Sequence, residues 1–91
     1  MIPITDDILL KNGFESNVFV PSDDYRSYTL WTNDEQSIKI DMMWKCTNNG
    51  ANWYMHIDNC DCETIGSADI DYIEQFNKMM EIFESNYELK P

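Results

Sequence analysis

"QSIKIDMMWKCTNNGANWYMHIDN", residues 36–59, decides the fold. Its two halves, 36–46 and 52–59, alternate apolar and polar residues and are rich in strand formers. Between them, Asn48, Asn49 and Gly50 supply the positive backbone angles of a tight turn. The stretch therefore reads as a β-hairpin. With Asn49 and Gly50 as the two loop residues, Trp44 faces Met55, Met42 faces Ile57 and Cys46 faces Trp53. Each of these pairs is apolar, which assigns one sheet face to a core. The same register sets Asp41 opposite Asp58 on the other face. Two like charges there call for fraying, for an intervening Lys39, or for a cation or basic partner.

Working outward, "YRSYTLWT" (25–32) also has period-two patterning. A loop at Asn33, Asp34 and Glu35 would place Leu30 against Ile38 and Tyr28 against Ile40, extending the hairpin to a meander. Val18, Phe19 and Val20 read as a further short strand, broken by Pro21 and the polar residues after it. Upstream, Thr5 can cap a helix over about 5–12, with Asp6 and Asp7 in its first turn and Gly13 as its stop. From Ser67 onward the chain reads as a second helix capped by Ser67 or Asp69. Its apolar stripe is Ile73, Phe76, Met80, Phe83 and Tyr87, with Asp71, Glu74, Lys78, Glu81 and Glu88 opposite. The expectation is one domain over 1–91 of the α+β class. It has a four- or five-stranded antiparallel sheet, the C-terminal helix on one face and the short N-terminal helix at an edge.

Composition narrows the function. Hydrophobic residues at 43% and aromatics at 13% are enough for a packed core and too many for a disordered acidic tail. Seventeen acids against six bases give a formal charge of −11, which disfavours direct binding to nucleic acid or to an anionic membrane. A basic protein surface is the compatible partner, although high charge alone also keeps a small protein in solution. The N-terminus carries acids where a signal peptide carries lysine or arginine. The run Ile8, Leu9, Leu10 is far shorter than the roughly 20 residues of a membrane helix. An odd number of cysteines, Cys46, Cys60 and Cys62, fits a reducing compartment, so a cytoplasmic location is expected.

The stretch "HIDNCDCETIGSADIDYIEQF" (56–76) invites a metal or catalytic reading. A zinc site from Cys46, His56, Cys60 and Cys62 has acceptable ligand types, but the hairpin separates them. Cys60 falls opposite Lys39, about 24 Å along the strand from Cys46, and His56 lies about 14 Å from Cys60 at ~3.4 Å per residue. Cys60 and Cys62, at about 6.8 Å, stand at the limit of bridgeable geometry. A calcium loop counted from Asp58 has cysteines where oxygen ligands belong, and Glu63 where glycine is required. His56 is the only histidine and could serve as a base with Asp58, yet its strand places it beside Tyr54 and opposite Met43, away from the core-facing Cys46. A surface or stacked histidine is the plainer reading. No phosphate-cradling loop, nucleophile elbow or metalloprotease pair is present, and neither a cofactor nor catalysis is expected.

The more informative feature is the second sheet face, which presents Tyr25, Trp31, Met43, Tyr54 and His56, with Lys39 and Lys45 among them. Aromatics and methionine on a polar surface characterise a binding patch, unless a loop or the first helix covers them. Asp58 on that face and Asp71, Glu74 and Glu81 on the helix are the acidic candidates for partner contact.

The opening "ITDDILLKNGF", the aromatic strands and the ending "IGSADIDYIEQFNKMMEIF" resemble a loose group of small proteins carried by bacterial phages and mobile elements. The resemblance covers both ends of the chain and only the general pattern of its middle, and it brings no catalytic residues. It implies an accessory protein that acts by occupying a host protein. One version is a nucleic-acid mimic that inhibits a nucleic-acid-binding protein. The alternative is a self-assembling component with the aromatic face as homodimer interface.

Overall fold

The computed structural model describes residues 1–18, 25–32, 37–47 and 50–91. The elements in chain order are α1 (Asp6–Lys11), β1 (Glu15–Ser16), β2 (Arg26–Trp31), β3 (Ile38–Thr47), β4 (Gly50–Asn59), β5 (Thr64–Asp69) and α2 (Ile73–Ile82). The five strands form one antiparallel sheet in sequential order, β1-β2-β3-β4-β5. This is the expected α+β arrangement.

Each helix starts and stops for local reasons. The Thr5 hydroxyl accepts from the Ile8 N–H at the head of α1. Gly13, at φ +95°, ends it by letting the Phe14 N–H reach back to the Leu9 carbonyl. At the head of α2 the Gln75 side-chain oxygen accepts from the backbone N–H groups of Asp71 and Tyr72. Ser67 and Asp69, expected as helix caps, belong instead to β5, and Tyr72 is the N-cap. The far end of α2 has no glycine. Glu84 takes the left-handed conformation itself, at φ +57°, and the Ser85 N–H bonds the Met80 carbonyl. The helix therefore stops short of the expected Tyr87.

The strand faces are as expected, but the registers are shifted by two residues. In the β3–β4 hairpin Thr47 pairs with Gly50, Trp44 faces Trp53, Met42 faces Met55 and Ile40 faces Ile57. The Asn49–Gly50 turn is thus overturned. Gly50 begins β4 at φ +120°, and the intervening Asn48 and Asn49 lie outside the described residues. In β2–β3, Tyr28 faces Met42 and Leu30 faces Ile40, again two residues from expectation. A shift of two preserves the face of every side chain. The loop assigned to Asn33, Asp34 and Glu35, like Phe19 and Val20, lies outside the described residues. The first strand is Glu15–Ser16, which precedes Val18.

One sheet face and both helices share a single hydrophobic cluster. Tyr28, Ile38, Ile40, Met42, Trp53, Met55 and Ile57 from the sheet meet Leu9 of α1 and Ile73, Phe76 and Met80 of α2. Phe14 stands edge-on to Phe76 at 6.3 Å between centroids. The C-terminal stretch after α2 completes the core with Leu89, which is buried, and Tyr87, which is partly so. Asn77 grips the backbone of Leu89, accepting from its N–H (2.8 Å) and donating to its carbonyl (3.1 Å). Asn12 grips Lys90 in the same two-bonded way. Cys46, expected in the core opposite Trp53, instead faces Ala51 near the hairpin end and is exposed.

Beside the core, Arg26 lies over the Trp44 ring at 4.3 Å and pairs with Asp6 at 3.3 Å. The Tyr28 hydroxyl donates to the same Asp6 carboxylate at 2.6 Å. Burial, followed by the Asp6 hydrogen bond, pushes the Tyr28 phenol up to about 12. No helix among the described residues is long and apolar enough to cross a membrane.

Candidate functional site

Because both helices use one side of the sheet, the side chains of alternate parity stand on a face that no described element covers. Trp31 is 49% exposed and Tyr25, just before β2, is 63% exposed, while Met43, Tyr54 and His56 are half-buried among their neighbours. The Lys45 ammonium lies 5.1 Å from the centre of the Tyr54 ring. The sequence-derived patch Tyr25, Trp31, Met43, Tyr54 and His56 therefore does share one open face.

The polar residues of this face are organised by the observed register. His56 faces Asp41, and Lys39 faces Asp58, so the expected Asp41–Asp58 and His56–Met43 pairings are replaced by pairs of compatible charge. Asn17 donates to the hydroxyls of Ser27 and Thr29, Thr29 donates to Asp41 Oδ1 at 2.6 Å, and Lys39 Nζ lies 3.8 Å from Asp41 Oδ2. Asp41 and Asp58 are thus committed to partners within the sheet. Glu15, Asn17, Thr29, Trp31, Lys39 and Asp41 also line an open recess of about 580 Å³ at the β1 side.

His56 Nε2 sits 3.0 Å from Asp58 Oδ1 and 3.2 Å from Thr64 Oγ1, and those two oxygens are themselves 3.2 Å apart. A hydroxyl–imidazole–carboxylate relay needs the hydroxyl and the carboxylate on opposite ring nitrogens. Here both meet the same nitrogen, so the trio is a hydrogen-bonded cluster that ties β5 to β4.

The cysteines are dispersed in a different way from that expected. β4 ends at Asn59. Cys60 and Cys62 lie in the following turn, exposed, with Cys62 at φ +63°. The straight-strand spacing between them, and the pairing of Cys60 with Lys39, do not apply. No group of three His, Cys, Asp or Glu side chains is arranged for a metal among the described residues.

The acidic candidates divide into two kinds. Asp71 precedes α2, and its Oδ1 accepts from the Trp53 N–H, closing the end of the β4–β5 ladder. Glu74 accepts the Ile2 N–H on both carboxylate oxygens, at 2.9 and 3.1 Å, which lowers its pKa. These two carboxylates hold the structure together. Glu81 is exposed. With Asp61, Glu63, Asp69 and Glu84, it makes no ion pair among the described residues. Asp69 stands on β5 opposite Tyr54, and Asp61 and Glu63 flank the same strand. The Phe83 ring, next to Glu84, packs so closely on Gly66 that a Cβ there would come within 2.5 Å of it. These five acids lie around β5 and the end of α2, and no lysine or arginine occurs between Lys45 and Lys78.

Sequence reasoning passed over this β5 flank because it assigned Ser67 and Asp69 to a helix. The available signal was the long absence of bases on either side of them. No family model matches the chain, and no curated protein or solved structure matches it.

Proposed function

We propose that this protein is a non-catalytic interaction domain that binds a basic surface of another protein. The observation that carries the reading is the sheet face that no described element covers, where Trp31 is exposed beside Lys39 and the Met43–Tyr54 pair lies four residues further along β3, while both helices occupy the opposite side. Aromatic and methionine side chains supply contact area at such surfaces. The uncommitted carboxylates around β5 supply long-range attraction to a cationic partner. The resemblance to small phage and mobile-element proteins supports a host protein as that partner. Asp41 and Asp58 are hydrogen-bonded to partners within the sheet, so nucleic-acid mimicry would draw on the β5 flank and α2 rather than on the open face.

The test is capture of a partner from a bacterial host extract, followed by kinetics on purified components. Association is expected to slow at least tenfold as the screening length falls from about 30 Å to 8 Å. Trp31→Ala should accelerate dissociation about thirtyfold, as loss of an aromatic anchor does. Glu63→Lys with Glu81→Lys should mainly slow association. Glu74 is unsuitable for charge reversal because its carboxylate anchors Ile2. Unchanged kinetics in Trp31→Ala would contradict the reading. A dimer that becomes a monomer in Trp31→Ala, with no host partner, would replace it by self-assembly.

A further inference from the structure

Two backbone bonds show which groups of β5 are used by the sheet. Ile70 N–H donates to the Trp53 carbonyl at 3.0 Å, and Asn59 N–H donates to the Glu63 carbonyl at 2.9 Å. In an antiparallel pair, opposed residues alternate between exchanging hydrogen bonds and directing their N–H and C=O groups away. Counting from Trp53 and Ile70, Met55/Ala68 and Ile57/Gly66 are the bonded pairs. Ser67 and Asp69, opposite His56 and Tyr54, therefore point their backbone groups outward. Counting from Asn59 and Glu63, Thr64 opposite Asp58 does the same. The bulge at Ile57/Asp58 joins the two counts. Since β5 ends the sheet, these outward groups have no strand partner among the described residues.

Just past β5, the same outward side is already occupied. Ile4 N–H donates to the Asp71 carbonyl and Ile73 N–H to the Ile2 carbonyl, both at 2.9 Å, with Pro3 bridged to Tyr72. An extended piece of chain thus pairs where β5 runs out, and the open edge continues directly from it.

We infer that β5 is a docking edge at which an extended segment of a partner protein, alternately basic and apolar, adds as a sixth strand. This rests on the reading that the partner is basic, and it names how that partner is held. The chemistry follows from the two sides of the strand. Toward the open face an added strand meets Ser67 and Asp69, and the exposed Asp61 and Glu63 stand in the turn that leads into β5, so lysine or arginine is favoured there. Toward the helices it meets Phe83 over Gly66, and the neighbouring Ile82 is 63% exposed, so apolar residues are favoured on alternate positions. A second copy is a poor occupant because it would bring Asp61, Glu63 and Asp69 close to the same acids of the other copy, with no lysine or arginine between Lys45 and Lys78 to offset them. The bulge limits good pairing to the stretch from Gly66 to Ile70.

The probe is acetyl-Lys-Val-Lys-Val-Lys-Val-Lys-amide, titrated at low salt into isotopically labelled protein and followed by NMR. The control is the same peptide N-methylated at every residue, which keeps the charges and side chains but donates no backbone hydrogen bond. The Ser67 and Asp69 amides should show the largest shifts and exchange with solvent at least tenfold more slowly. The N-methylated peptide should bind at least tenfold more weakly. Ser67→Pro, which removes an N–H that β4 does not use, should weaken the unmodified peptide to a similar extent. Equal affinity for both peptides would overturn the docking edge while leaving attraction to a basic partner intact. Shifts centred on Trp31 and Tyr54 would do the same. No binding of either peptide at millimolar concentration would overturn both. A dimer abolished by Ser67→Pro would make a second copy the occupant and overturn the inference.

Discussion

Phe76→Ala is expected to cost about 3–5 kcal/mol, the largest loss from any single truncation in α2. Phe76 is fully buried, faces the sheet from the middle of the helix, and stands edge-on to Phe14 and to Tyr87 at 6.3 and 6.0 Å. Its removal takes away transfer free energy and two aromatic contacts, and it leaves a cavity that rigid neighbours cannot close. A domain of this length has a total stability of roughly 5–14 kcal/mol, so the variant should sit near the edge of unfolding. Urea denaturation measures this directly. Ile82→Ala, on the exposed side of the same helix, should stay within about 0.5 kcal/mol of the parent. A loss below about 1 kcal/mol for Phe76→Ala would mean that α2 does not close the core.

The second large effect is expected in the last residues rather than in a regular element. Leu89→Ala should cost about 2–5 kcal/mol, because Leu89 is 1% exposed and sits in the same cluster as Phe76. Asn77→Ala should add a loss of about 1–3 kcal/mol, since it strands the Leu89 N–H and carbonyl that the amide holds at 2.8 and 3.1 Å. Leu10→Ala, half exposed on α1, is the matching control with little expected effect. Calorimetry on the three variants distinguishes a tail that is part of the core from one that merely lies on it. Equal melting temperatures for Leu89→Ala and Leu10→Ala would show the latter.

Much of the fold could be read from the chain because its strongest signals are periodic. Alternation in β2, β3 and β4 assigned every side chain to its face, and the Ile73, Phe76, Met80 spacing assigned the core side of α2. Register was harder, since a shift of two residues keeps each face and still pairs apolar with apolar. Charge held the missing information. The expected alignment set Asp41 against Asp58, whereas the observed one sets Lys39 against Asp58 and Asp41 against His56. That like-charge clash was a sign of the wrong register rather than of a cation site.

β5 was illegible for a different reason. Thr64–Asp69 is short, bulged and largely exposed, and serine and aspartate near an apolar stripe imitate a helix cap. The end of α2 was hidden because Glu84 adopts a backbone conformation that glycine normally announces. Of the candidate site, the aromatic members were found together on one face. Asp71 and Glu74 proved to be structural because their partners, Trp53 and Ile2, are distant in sequence.

The central claim is that one sheet face is sealed by the helices and the other is open for contact. The most direct measurement is methionine methyl NMR in the presence of a soluble paramagnetic reagent, because Met42 and Met43 are adjacent in β3 yet point to opposite faces. The Met42, Met55 and Met80 methyls, all buried, should keep narrow lines, while Met43 broadens. Protection of Met43 equal to that of Met42 in the isolated monomer would show that the second face is covered, and would contradict the account.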